Sequence, residues 1–325
     1  MSRLVLHLPL LESLPGGAGR LPPELRRVLA RSRRFDGDPR EALAALLQCP
    51  PIPAPAVLSR LAGPPLSDRE RASWWLRFDP VRLVPDLTAV WIDRAIALDF
   101  GSDPMRSLTA ELQAMFEAEG FAWQPGAGDG FGLLKLEQAP DCAFMAPDAV
   151  YGERLDEVLP RGPDAARWRR LINESQMIFH QVRPLDRADQ QGVGLWFWGG
   201  GTLTGPAPPT RDTPAVRIVD HGDSARVRGL ANWLVARLDD SAARFDDAAA
   251  PCCYVHWPLQ ATDIDAALEA LVEHWLKPAR KALGRGSLRE ISVLGGSGCW
   301  RLGRLDPLAF WRRQAGGFDA GGGSA

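Results

Sequence analysis

Short apolar runs alternate along this chain with stretches whose apolar positions recur every three or four residues. The first pattern predicts buried strands and the second amphipathic helices. Leu4 to Leu8 opens as a strand, Pro15-Gly16-Gly17 breaks it, and a helix is expected from about Pro22 to Arg33. Residues 35–67 are rich in Pro and Asp, with a helical piece at Glu41 to Leu47, and read as a connecting surface segment. From Val81 to Ile92, β-branched residues around Pro85-Asp86 predict two short strands. A helix from about Pro104 to Glu119 follows, its stripe being Leu108, Leu112, Met115 and Phe116. Gly126 to Gly130 reads as a turn and Phe131 to Leu136 as a strand.

Helices are expected at Gly152 to Leu159 and Asp164 to Phe179, the second amphipathic through Trp168, Leu171, Ile172, Ser175 and Ile178. Leu195 to Trp198 reads as a strand that ends in a turn at Gly199-Gly200-Gly201. Strands at Val216 to Val219 and Cys252 to Trp257 bracket a helix at Val227 to Leu238. A long helix from Ile264 to Leu283 precedes a hairpin, with strands Glu290 to Leu294 and Cys299 to Leu302 about Gly295 to Gly298. A last helix at Pro307 to Gln314 leads into a Gly/Ser-rich tail.

This alternation predicts a mixed α/β or α+β fold with a central mixed sheet and flanking helices. The expected segments are an N-terminal strand-helix with its Pro-rich connection (1–69), an α/β subdomain (70–150), a C-terminal α/β part (151–314) and a disordered tail (315–325). No repeat of 20 to 50 residues is present, which argues against a solenoid.

The length of 325 residues allows one large or two smaller domains, and 46% hydrophobic with 24% charged residues is ordinary globular composition. A net charge of −2 gives no overall attraction to nucleic acid or an anionic bilayer, which argues against nonspecific DNA binding. No apolar stretch reaches membrane-spanning length and no signal sequence is evident, so a cytoplasmic protein is expected. The five cysteines, Cys49, Cys142, Cys252, Cys253 and Cys299, lack CxxC spacing, which argues against a disulfide framework or zinc cluster.

Two segments carry candidate chemistry. Gly199-Gly200-Gly201 follows a strand as phosphate loops do, and bare backbone amides could approach an anion there, although neither GxGxxG nor Gly-Lys-Ser/Thr is present. Arg183 and Arg187 stand just upstream and can clamp a phosphate or carboxylate in a two-pronged manner. Asp220-His221 at a strand end, with His256 on a buried strand, are the weaker candidates for ligating a divalent cation. Cys252-Cys253 has no base beside it in sequence. Gly295 to Cys299 has Cys299 where a nucleophile elbow needs glycine. The sequence implies no cofactor.

The middle of the chain, Arg167-Trp168-Arg169-Arg170-Leu171 through Glu174-Ser175-Gln176-Met177, His180, Arg187 and Leu195 to Gly201, resembles the RpfE-type regulatory protein family of proteobacteria. Trp75 to Asp86 and Trp300 to Trp311 resemble the same family, so the likeness spans roughly residues 70–312. That family in turn resembles cofactor-independent phosphoglycerate mutases, through His180, Arg187, Trp196, Trp198, Gly199 and Gly201. The departures are Val182 to Asp186 and Val193-Gly194.

The resemblance implies a reduced alkaline-phosphatase-like scaffold, where two divalent metals and a phosphorylated Ser or Thr transfer phosphoryl groups. Against that pattern, Leu8-Pro9-Leu10 stands where the first strand would deliver an Asp-Gly ligand. Only His256 remains on the late strand, and Gly295-Gly296-Ser297 stands where an Asp-His pair is expected. The expectation is therefore a non-catalytic regulatory protein. It binds a small anionic ligand or a regulatory protein partner in a pocket formed by His180, Arg183, Arg187, Trp196, Trp198, Gly199, Gly200 and Gly201. The alternatives are an active mutase using Asp220, His221 and His256, and an interaction module docking through the Pro-rich segments 50–65 and 205–214.

Overall fold

The computed structural model describes residues 2–12, 14, 17–126, 130–182, 192–203, 215–222, 224–246, 250–259 and 263–306. They fall into two compact units. The first draws on 2–52, 215–222 and 233–306, and the second on 53–203 and 224–232.

In the first unit, five strands run parallel: β1 (Ser2–His7), β8 (Val216–Asp220), β9 (Arg237–Asp239), β10 (Cys252–His256) and β11 (Leu288–Leu294). Two antiparallel strands, β12 (Gly298–Gly303) and β2 (Arg33–Asp36), extend one edge, giving the order β2-β12-β11-β1-β10-β8-β9. Parallel strands need cover on both faces, which is why β1, β8 and β10 read as nearly continuous apolar runs. In register, Leu4 lies beside Cys253 and Leu6 beside Val255, and these four join one core cluster with Val28, Trp275, Leu276 and Ile291.

Helices α1 (Pro23–Arg31), α9 (Ile264–Leu271) and α10 (Lys277–Arg285) supply that core. The five-residue π turn Val272–Leu276 joins the last two. In α1, Leu25, Val28 and Leu29 repeat at three and four residues and are buried, and Pro23 at the first turn needs no backbone donor. Helix α2 (Pro39–Leu47) is capped by Asp38, whose carboxylate accepts from Arg40 N at 2.7 Å.

The second unit is built on β3 (Trp74–Pro85), a 12-residue strand flanked along most of its length by antiparallel β7 (Val193–Thr202). On its other side it pairs with β6 (Gly132–Leu136) near its start and β4 (Val90–Ala95) near its end, and β5 (Ala122–Pro125) pairs with β6. The helices are α3 (Pro55–Leu61), α4 (Asp68–Ala72), α5 (Arg106–Ala118), α6 (Leu155–Val158) and α7 (Ala165–Val182). Helix α8 (Ala225–Leu234) crosses the division between the units after Asn232. The core is aromatic: Phe78, Phe116, Trp123 and Phe197 meet with ring centroids 5.3–6.3 Å apart.

The mixed α/β architecture and most long elements match the sequence pattern. The predicted stripe of α5 is buried as expected, whereas α7 buries Phe179 and leaves Ile178 half-buried. Three expectations are corrected. Residues 35–67 are not merely a surface connection, because β2, α2 and α3 lie there and Ala56 to Arg60 are buried. The strand before Pro85 begins at Trp74 rather than Val81, and β5 and β9 carry too few apolar residues to show. The units do not follow the sequence boundaries either, since β1 pairs with β10 and β11 from the far end of the chain. The expected helix at 307–314 and the tail lie outside the described residues.

Candidate functional site

The carboxyl ends of parallel strands are where open α/β sheets gather ligand-binding groups. In the first unit, register alone assembles a polar row there. His7 of β1 lies beside His256 of β10, and His256 beside Asp220 of β8. Side chains alternate across the sheet, so these three share the face opposite Leu6 and Val255, with Tyr254 two residues earlier. His256 Nδ1 stands 2.9 Å from Asp220 Oδ1, with both side chains buried, and His7 Nδ1 shares a 2.7 Å hydrogen bond with the Tyr254 hydroxyl. The His7 and His256 rings are 5.4 Å apart.

His221 follows Asp220 but turns elsewhere, its ring centroid 3.9 Å from Trp257 and 6.1 Å from Trp275. Burial, and secondarily Arg244, lowers its pKa to about 4, so it is neutral at pH 7. Its buried Nε2 has no hydrogen-bond partner. Beside the row, the β11–β12 turn forms a concave run of amides. Gly296 N, Ser297 N and Gly298 N donate to the Glu12 carboxylate at 2.8, 3.1 and 3.0 Å. Such a nest binds anions, and here the anion is the chain's own side chain.

Of the sequence-derived pocket, the structure brings Trp196, Trp198 and the glycines together in the second unit, inside the sheet. Trp196 and Trp198 are buried, Trp196 Nε1 donates to Met145 O at 3.0 Å, and Trp198 Nε1 donates to Asp79. Gly199 to Gly201 do not form the expected turn, because β7 continues through Thr202. Trp75 pairs with Gly201 and Arg77 with Trp198, which leaves Gly199 and Gly200 opposite one residue as a β-bulge, with Gly199 at φ +68°. A Cβ on Gly200 would lie 1.9 Å from the Trp74 ring, so the bare backbone there admits a tryptophan. His180 is exposed near the end of α7, and Arg183 and Arg187 lie outside the described residues.

The strand beneath holds a network that sequence reading missed. Arg77 and Asp79 are both about 6% exposed and pair through Nε–Oδ2 at 3.0 Å and Nη2–Oδ1 at 2.6 Å. Arg77 Nη1 donates to Ser59 Oγ at 3.0 Å, and its guanidinium covers the Phe131 ring at 3.8 Å. Asp79 also accepts from Trp198, so the Trp75–Asp86 and Leu195–Gly201 segments, which carry the family resemblance, are paired neighbours in one sheet. The available signal was the i, i+2 spacing of Arg77 and Asp79 in an otherwise apolar strand. For His7 it was a histidine closing an apolar run, as His256 does.

A binuclear centre needs two clusters of carboxylate and imidazole donors. The row offers Asp220 and His256 already joined to each other, His7 joined to Tyr254, and His221 directed against tryptophans. Among the described residues no group of three His, Cys, Asp or Glu side chains is arranged to hold a metal ion, so the described residues do not supply that centre. The thiols of Cys252 and Cys253 are pushed up by burial to about 11 and about 12, which is inert rather than nucleophilic. No helix of the described residues is long and apolar enough to cross a membrane.

No protein-family model matches the chain. Over 189 residues its sequence is 22% identical to a probable 2,3-bisphosphoglycerate-independent phosphoglycerate mutase of Geobacter sulfurreducens, covering 53% of this chain and 47% of that protein. The chain thus spans about half the length of the curated relative it matches. Among solved structures, a cofactor-independent phosphoglycerate mutase from Thermoplasma acidophilum aligns with 93% of this chain and 89% of its own, at 14% identity and a TM-score of 0.38. A protein from Pyrococcus horikoshii aligns with 93% and 87%, at 11% identity and a TM-score of 0.39. The chain is a mixed α/β protein whose sequence is distantly similar to that of a cofactor-independent phosphoglycerate mutase.

Proposed function

We propose that this chain is a cytoplasmic regulatory protein of the RpfE type, in which a mutase-like scaffold binds a small phosphorylated or otherwise anionic ligand or a regulatory protein partner. The observation that carries the reading is the pairing within the polar row. His256 with Asp220 and His7 with Tyr254 satisfy one another where a phosphoryl-transfer enzyme would direct its donors at metals. The self-occupied nest at Glu12 supports the same reading, because an amide cradle at the strand ends is closed by an internal carboxylate.

In this proposal His180, Arg183 and Arg187 make the polar contacts to the ligand. Trp196, Trp198 and Gly199 to Gly201 brace the neighbouring strand. Helix α7, which ends just past His180, is fixed to β7 by Ser175, whose Oγ accepts from Leu195 N at 2.9 Å.

The test pairs metal analysis of the purified protein and a 3-phosphoglycerate to 2-phosphoglycerate interconversion assay with added manganese with calorimetric titration of 3-phosphoglycerate. The expected result is no turnover, with a saturable binding step that Arg187→Ala and His180→Ala each remove. Metal-dependent turnover would overturn the proposal in favour of a mutase, with Asp220, His221 and His256 the first residues to change. Unaltered binding in both variants would remove the pocket assignment. Absent binding together with a stoichiometric protein partner would make the chain an interaction module.

A further inference from the structure

A second cationic site lies in the first unit, apart from every residue assigned above. Four arginines from three separate elements converge on one cavity of about 100 Å³: Arg27 and Arg31 of α1, Arg280 of α10, and Arg304 just past β12. Its floor is apolar and rigid, since Val28, Leu283 and Leu302 are each at most 3% exposed. At Gly284 the wall is open, with nothing within 4 Å of where a Cβ would stand.

The charge is uncompensated. Among the described residues the one carboxylate within 4.0 Å of any of these guanidinium groups is Glu24, at 4.0 Å from Arg27 Nη1, and Arg31, Arg280 and Arg304 have none. Like charges lining one cavity repel one another, and an anion seated among them offsets that repulsion. The negative end of the α1 dipole accounts for Arg31 in the last turn. It does not account for Arg280 or for Arg304, whose Nη1 would stand 3.0 Å from a Cβ on Gly286.

Guanidinium forks match the paired oxygens of a phosphoryl group, and the volume corresponds to about three waters, which suits one such group. We infer that this cavity is an anion site that takes the phosphoryl group of a small phosphorylated molecule, with Arg280 and Arg304 as its principal contacts.

The test uses the full chain with and without Arg187→Ala, which takes the pocket proposed above out of the measurement, at fixed ionic strength, with inorganic phosphate and pyrophosphate as probes and chloride as the control, followed by titration calorimetry and thermal melting. Saturable binding at millimolar concentration or tighter is expected, with a raised melting temperature. Arg280→Gln should weaken it about tenfold, since one charge-assisted fork is lost. Arg280→Gln with Arg304→Gln should abolish it, while Arg280→Lys, which keeps charge without the fork, should give an intermediate loss. Arg187→Ala should leave this site untouched, which separates its failure from that of the proposed function. Equal stabilisation by chloride, or unchanged phosphate binding in the double variant with native melting behaviour, would overturn the assignment.

Discussion

Replacing Asp79 by alanine is the sharpest test of how the second unit is held together. The carboxylate takes both forks of Arg77 and the indole N–H of Trp198, all buried, so no water can replace it. Removing one partner of a buried ion pair strands the other charge, at a cost of about 3–5 kcal/mol. The orphaned Trp198 donor adds about 1 kcal/mol or more. For a unit of this size that corresponds to a fall of roughly 10–20 °C in melting temperature.

Replacing both charges, Arg77→Met with Asp79→Leu, removes the stranded guanidinium. It should therefore recover most of the loss, leaving about 1–2 kcal/mol for the Trp198 donor and imperfect packing. Urea unfolding followed by tryptophan fluorescence gives the free energies, and hydrogen exchange at β3 and β7 amides assigns them to this unit. A single variant that loses under about 1 kcal/mol, or a double variant no more stable than the single, would refute the reasoning that the pair is buried and coupled.

Three further outcomes are expected. His221 is lowered to about 4 in the folded chain and lies near 6.5 when unfolded, so its contribution is complete above pH 6.5 and is lost as pH falls toward 4. Solvent screening of the partly exposed ring limits the loss to about 1–2 kcal/mol, and His221→Phe should flatten that part of the stability profile measured by urea titration at each pH. Gly200→Ala drives a methyl into the Trp74 ring and should cost about 1–3 kcal/mol by thermal melting, since the indole is itself packed. Cys252 and Cys253 should resist a thiol-specific reagent at pH 8 until the chain is denatured, and rapid labelling of the native protein would contradict their burial.

The sequence by itself determined the elements whose periodicity is set by burial. Leu108, Leu112, Met115 and Phe116 define α5, and the Gly295–Gly298 hairpin follows from apolar runs on either side of a glycine turn. It also named Asp220, His221 and His256, but as candidate cation ligands and not as the hydrogen-bonded Asp220–His256 pair that the structure shows.

Tertiary structure decided the rest. Only the parallel register of β1, β10 and β8 puts His7, His256 and Asp220 in one row, since contacts between residues 36 or more positions apart leave no local trace. Only the pairing of β3 with β7 shows that Gly199 and Gly200 form a bulge fitted around Trp74, not a loop, because a glycine's bareness serves either a turn or a close approach and the neighbour settles which. The four arginines around the 100 Å³ cavity were individually ordinary surface charges. Their convergence comes from the packing of α1 and α10 beside β12, where side-chain reach in space replaces spacing along the chain.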